Sequence, residues 1–304
     1  MIESTKKDIE EVSFELLRQS KSLDIFPTPV DQIVEYSNLV VNNNIDLANI
    51  EKSFIDSIKE KADEGFKFLQ EGLANIRGLF DRTEKTIYIS QTRHLGRKNF
   101  VKLHETGHGV LPWQNAVIGA FDNSSTLNPD FEDQFEEEAN YFASITLFQH
   151  NRYDREMKKV DFGLPGIIAL SKKFGSSVHA SFRNYIFKTN KRCILLILDP
   201  IQNKTLNKPI CSKRNLFHSK SFISEFGKIN LPNKFSYDWD FIQTYLTKSP
   251  FVTNGFTSLT LEGGEILDCN YHLFKNGYNA FILIFPKGER NRGIRKRIIL
   301  REME

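Results

Sequence analysis

Residues 104–108 read His104-Glu105-Thr106-Gly107-His108, and this short run organises the rest of the chain. Two histidines four apart share one face of a helix, so both imidazoles can bind a single cation. A glutamate beside the first can take a proton from a cation-activated water, which is the pattern of metal-assisted hydrolysis. Zinc suits these donors, and it brings the pKa of a bound water toward about 7. At about 100° per residue, Phe100, His104, Gly107, His108 and Leu111 fall on one side. The polar Lys98, Asn99, Lys102 and Thr106 fall largely elsewhere. The histidines are therefore expected to point inward from a helix over 97–111, ended by Pro112. Gly107 and Gly109 each weaken such a helix by about 1 kcal/mol relative to Ala. Glycine there predicts the close approach of another backbone or of a substrate.

A catalytic zinc needs a third protein ligand besides a water. No histidine follows His108 at the spacing of the long HExxHxxGxxH pattern, because Val110, Leu111 and Pro112 come directly after Gly109. The next donors are Glu136, Glu137 and Glu138, on a helix expected over 130–149. Phe135, Ala139 and Phe142 mark the buried side of that helix. Glu137 then faces solvent. Glu136 shares its face with Asn140, Ala143 and Leu147, whereas Glu138 borders the core from the other side. Its face favours Glu136 as ligand, with Glu138 as the alternative. Asn140, one turn on, becomes the candidate to hold Glu136 in place.

Toward the N-terminus the pattern predicts a helix over 6–19, a break at Pro27-Thr28-Pro29 and a short helix over 30–38. A short strand at Val40-Val41 comes next, then a long charged helix over 51–73. A hairpin of strands 76–80 and 86–90 precedes the motif. Tyr88 on its second strand is a candidate to line a substrate groove, and an edge strand there could pair with an extended peptide. Beyond the motif, a polar loop is expected over 115–129. Residues 165–174, Gly175 and 176–187 read as helix, tight turn, helix. Strands follow over 193–198, 256–261, 266–274 and 279–285, interrupted by a helix over 239–246. The divisions are 1–155, 156–190 and 191–304, and the expected fold is α+β.

The 304 residues hold 41 Lys and Arg against 38 Asp and Glu, a net charge of +3. That figure conceals an asymmetry. Residues 1–150 carry 15 basic and 25 acidic side chains, a balance of −10, and residues 151–304 carry 26 and 13, a balance of +13. A basic second half can meet DNA or an acidic partner, and it can equally be a plain solvated surface. Lys172, Lys173, Arg183 and Lys188 place positive charge on the helix pair. No apolar run approaches the roughly 20 residues of a membrane span, and the start of the chain is too charged for a signal peptide. Cys193, Cys211 and Cys269 are far apart, which argues against a disulfide framework and a thiolate metal site. A cytoplasmic protein without membrane attachment is expected.

Three stretches together resemble the ImmA/IrrE family of metallopeptidases: Ile87-Tyr88-Ile89, the run from His104 to His108, and Glu136-Glu137-Glu138-Ala139-Asn140-Tyr141-Phe142-Ala143. The likeness extends over roughly residues 5–190, and residues 170–186 are similar to the helix-turn-helix segment that follows the catalytic core in many members. It implies a zincin-like metallopeptidase domain, a helix-turn-helix-like segment, and a C-terminal strand-rich α/β domain of unassigned role. By the same resemblance His104, His108 and Glu136 hold Zn2+ and Glu105 is the catalytic glutamate. The implied substrate is a specific regulatory protein, a repressor of the helix-turn-helix type, cut in a stress or mobile-element response. Where the family continues into a leucine-rich stretch ending in proline, this chain has Ser144-Ile145-Thr146-Leu147-Phe148-Gln149-His150. Two rivals stand beside this reading: a DNA-binding regulator that uses the basic half, and an antitoxin-like partner binder that keeps a zinc site. Glu105 argues against both, since a purely structural site has no need of it.

Overall fold

Ile9, Leu16 and Leu17 recur at helical spacing and are buried, and they place the first helix, α1, over Glu3–Gln19. The computed structural model describes residues 1–42, 78–81, 85–89, 95–114, 129–202, 209–246, 252–276 and 279–289. The charged helix expected over 51–73 and all but the last residue of the loop expected over 115–129 lie outside the described residues; Pro129 already belongs to the helix that follows. The chain divides into two compact units, Met1–Tyr153 with Ser171–Ser177, and Asp154–Leu170 with Val178–Glu304.

In the first unit, α2 (Val30–Tyr36) starts directly after Pro29, a residue pre-set for the entry to a helix. The segment between α1 and α2 is clamped by Gln149. Its amide donates to Ile25 O at 2.7 Å, and its carbonyl accepts from Asp24 N at 2.8 Å. Strands β1 (Val40–Asn42), β2 (Gly78–Asp81) and β3 (Thr86–Ile89) form a sheet in the order β1-β3-β2, with β1 parallel and β2 antiparallel to β3. The expected hairpin is present. β3 is central, however, so both of its sides are already paired and a peptide cannot add to it. Among the described residues, the edges are β1 and β2.

Helices α3 (Leu95–Val110) and α4 (Pro129–Leu147) complete the unit. α3 packs against α2, the sheet and α4, and is therefore buried on more than one side. This corrects the expectation that its polar residues lie away from the core. Asn99, Lys102 and Thr106 are all buried, and each has a partner. Lys102 pairs with Asp31 of α2, Thr106 Oγ1 donates to Lys102 O at 2.7 Å, and Asn99 Nδ2 donates to Gly175 O at 2.8 Å. The segment Ser171–Ser177 lies against the start of α3: a Cβ on Gly96 would run into the backbone of Ser176 and Ser177.

Helix α5 (Arg152–Met157) leads out of the first unit, and α6 (Leu164–Phe174) and α7 (Val178–Lys188) are the expected helix pair, joined through Gly175. The second unit is built on a six-stranded antiparallel sheet in the order β6-β5-β4-β9-β8-β7. Its strands are β4 (Ile194–Leu198), β5 (Cys211–His218), β6 (Lys234–Phe235), β7 (Thr253–Thr260), β8 (Ile266–Lys275) and β9 (Ala280–Pro286). Every residue of β4 and β9 is buried, as expected of the two inner strands of a sheet covered on both faces. On one face Ile194, Leu196, Ile282 and Ile284 join Phe222 of α8 (Lys220–Phe226) and Phe241 of α9 (Asp240–Leu246) in one core. On the other, Phe182 of α7 stacks on Phe281 at 5.1 Å. The molecule is α+β, as the pattern of the chain predicts. β5, β6 and α8 were not legible: Cys211–His218 carries polar residues on both faces and has a register shift opposite Ile197 and Leu198. Among the described residues, no helix is long and apolar enough to cross a membrane. All three cysteines are buried with free thiols.

Candidate metal centre

α3 carries His104 and His108 one turn apart, with ring centroids 4.8 Å from each other. The third group comes from α4, and Gly107 is what lets that helix in. A Cβ at Gly107 would lie 3.1 Å from Phe142 Cδ1 and 3.4 Å from the Ala139 Cα. The close approach expected at Gly107 is therefore that of α4, through the Phe142 ring first and the Ala139 backbone behind it. Glu136 sits three residues before Ala139, on the same side of α4, and its carboxylate reaches the histidines. Oε2 is 3.2 Å from His104 Nε2, Oε1 is 3.2 Å from His108 Nε2, and the two Nε2 atoms are 3.2 Å apart.

These distances are a test of metal fit. Bonds of about 2.0–2.1 Å in a tetrahedral array, as to zinc, hold neighbouring donor atoms about 3.3 Å apart. Among the described residues, His104, His108 and Glu136 are the group whose donor atoms converge in this way, and they could hold a metal ion. The chemistry agrees with the geometry. Two bare imidazole nitrogens facing each other have no reason to approach unless a proton or a cation lies between them. The histidine side chains are 14% and 13% exposed and that of Glu136 is 58% exposed, so the carboxylate closes the group from the solvent side.

The electrostatics follow from these contacts. Hydrogen bonds from His104 and then His108, made when the rings carry a hydrogen on Nε2, hold the Glu136 carboxyl well below its ordinary pKa. Burial would lower His108, but its bond to Glu136, the charge of Glu105 and a bond to Gln114 outweigh that and raise it. Glu105 is buried and its pKa is raised by desolvation, with the two histidines pulling back part of the way.

Glu138 has a different place from Glu136. It is fully buried, and its carboxylate accepts from Trp113 Nε1 at 2.7 Å, Gln114 Nε2 at 2.9 Å and Gln134 Nε2 at 2.8 Å. Gln114 Oε1 in turn lies 2.9 Å from His108 Nδ1. Asn140 is exposed and, among the described residues, makes no hydrogen bond to the cluster. The polar groups behind the centre are Gln114 and Glu138 instead. Sequence reasoning missed Trp113 and Gln114. Their only signal is position: Pro112 ends the helix just after His108, and a glutamine two residues on can turn back to it. Tyr88 is buried at 8% exposure within the central strand and has little surface to offer a substrate. Of the basic residues on the helix pair, Lys173 lies over the Phe26 ring at 4.9 Å. Arg183 lies over Phe187 and Phe217 at 5.7 and 5.8 Å. Lys188 pairs with Asp154 at 3.0 Å. Lys172 is exposed.

Residues 61–179 match the model of the Peptidase_M78 family, described as an IrrE N-terminal-like domain. That span includes α3, α4 and the turn at Gly175. No curated protein matches the chain. Among solved structures, a Mycobacterium tuberculosis transcriptional regulator is similar with a TM-score of 0.53 and 10% identity, over 92% of this chain and 76% of that one. At that identity the likeness is one of fold.

Proposed function

We propose, from the premise that residues 61–179 are an IrrE N-terminal-like domain of the ImmA/IrrE metallopeptidases, that this protein is a zinc-dependent endopeptidase. Its substrate is a specific regulatory protein, a helix-turn-helix repressor, met in the cytoplasm. The observation that carries the reading is the Glu136 carboxylate, 3.2 Å from both imidazole Nε2 atoms, with a buried Glu105 on the same helix. Zinc held by His104, His108 and Glu136 would supply Lewis-acid polarisation of the scissile carbonyl and would acidify the attacking water. Glu105 takes the proton that this water loses as its oxygen joins the carbonyl carbon. When the carbon–nitrogen bond breaks, Glu105 returns the proton to the departing amine. Burial supports this role, because a carboxyl with raised proton affinity is a stronger base near neutral pH.

The test begins with metal analysis of the purified protein and of His104→Ala. About one zinc in the wild type and a loss in the variant is the expected result. Equal metal in both overturns the assignment. Cleavage is then followed with co-expressed candidate repressors. A second reading, a DNA-binding regulator that retains the zinc, draws support from the basic second half and from the regulator of similar fold. Against it, Lys173, Arg183 and Lys188 are already engaged within the chain. It replaces the peptidase reading if no partner is cut and DNA binds with a steep salt dependence.

A further inference from the structure

We propose that Gln114 and Glu138 are positioning residues: together they fix the His108 ring in the tautomer whose Nε2 is bare, so that His108 is the pre-set ligand of the centre. The proposal rests on the metal reading above. An indole N–H can only donate, so Glu138 Oε2 accepts from Trp113. Gln114 is fully buried, and its amide nitrogen lies between two acceptors, Glu138 Oε2 at 2.9 Å and Phe135 O at 3.3 Å. A glutamine amide is ordinarily ambiguous between its two orientations, but only one puts NH2 against both acceptors. Its carbonyl oxygen must then face His108 Nδ1, where it can only accept. Nδ1 therefore carries the hydrogen, and in a neutral ring Nε2 is left with its lone pair. That Nε2 is the atom 3.2 Å from Glu136 Oε1.

The relay opposes a competing arrangement. Without metal, a neutral His108 would gain by placing its hydrogen on Nε2 and donating to the Glu136 carboxylate, and this hydrogen would have to leave before a cation could bind. Gln114 makes that arrangement costly, since its buried oxygen would then meet a bare Nδ1 with no hydrogen between them. His104 has no such support: its Nδ1 is buried without a hydrogen-bond partner among the described residues. The two histidines of the motif are thus unequal, one oriented before metal arrives and one that adapts to it.

The test is read on metal-free protein labelled with ¹⁵N in its histidine rings, at a pH where the rings are neutral. The expected wild-type spectrum shows His108 with hydrogen on Nδ1 and a bare Nε2. Gln114→Met, close in volume and without an acceptor, is expected to move His108 toward the Nε2–H tautomer. Zinc affinity, measured by competition with a chromophoric chelator, should fall about 10–100-fold, the usual worth of a group that orients a metal-binding histidine. If Gln114→Met does not fold, Glu138→Gln serves in its place, because it frees the Gln114 amide to turn over. A wild-type His108 that holds its hydrogen on Nε2 overturns the proposal, as does a folded variant that binds zinc as tightly as wild type. A wild type that binds no zinc at all, yet shows the expected tautomer, defeats the metal reading and leaves the relay standing.

Discussion

Glu105 and Glu136 are carboxylates that both interact electrostatically with the same two imidazoles, and their surroundings pull them in opposite directions. Glu105 is buried, and desolvation raises its proton affinity. Glu136 stands against both imidazole Nε2 atoms, and hydrogen bonds from the rings when they carry a proton there lower its own. A ligand has to stay charged and a base has to accept a proton, so the two environments match the two roles. Glu105→Gln is nearly isosteric and leaves all three metal donors in place. Its expected effect is an unchanged zinc content and melting temperature, with cleavage slowed about 10²–10⁴-fold. A variant that cleaves as fast as wild type removes Glu105 from the mechanism. At the neighbouring positions of α4, Glu136→Gln is expected to weaken zinc binding by more than the about 10–100-fold attributed to outer partners. Glu137→Gln, on the solvent side, should leave it unchanged, and chelator competition on the two variants compares them directly.

Among the elements, α3 is the one on which the first unit depends, because it meets α2, the sheet, α4 and the segment Ser171–Ser177. Helix propensity and packing make opposite predictions at Gly96. In an exposed helix, Gly to Ala would stabilise by about 1 kcal/mol. Here the added methyl meets the backbone of Ser176 and Ser177, which cannot rotate away. Packing wins, and Gly96→Ala is expected to destabilise by roughly 1–3 kcal/mol. Chemical denaturation measures this, and a stabilised variant would mean that the turn is not held against α3. At Gly107 the obstacle is mainly the edge of the Phe142 ring at 3.1 Å, which can yield, so Gly107→Ala should cost less.

Across the whole molecule, the metal donors belong to the first unit, and β4 and β9 belong to the second. A ligand that binds only the folded state stabilises by about 2.7 kcal/mol at one hundred times its Kd. Zinc is accordingly expected to slow amide hydrogen exchange in α3 and α4 and to leave β4 and β9 as they were. Chelation should reverse the effect. Hydrogen exchange followed by mass spectrometry reads both units in one sample. Equal protection everywhere would show that the two units open together.

Local pattern alone determined α1, α2, the hairpin, α3, α4, the helix pair and the clearest strands, because each carries its own periodicity and its own stops at Pro29, Pro112 or Gly175. It also singled out His104, Glu105 and His108, whose spacing within one helical turn needs no other part of the chain. Glu136 stood ahead of Glu138 on the face argument, yet which of the two reaches the histidines depends on the approach of α4 across Gly107. That is a fact of packing between elements far apart in sequence. The same holds for β5 and β6, short or polar strands that exist because a neighbour supplies their hydrogen bonds. Gln114 is the extreme case. Its place just after Pro112 is the one local sign of a role, and only the fold brings a buried amide between Glu138 and His108. Periodicity reports which face of an element is apolar, whereas a hydrogen-bond relay is made by the meeting of faces, and that meeting is decided in three dimensions.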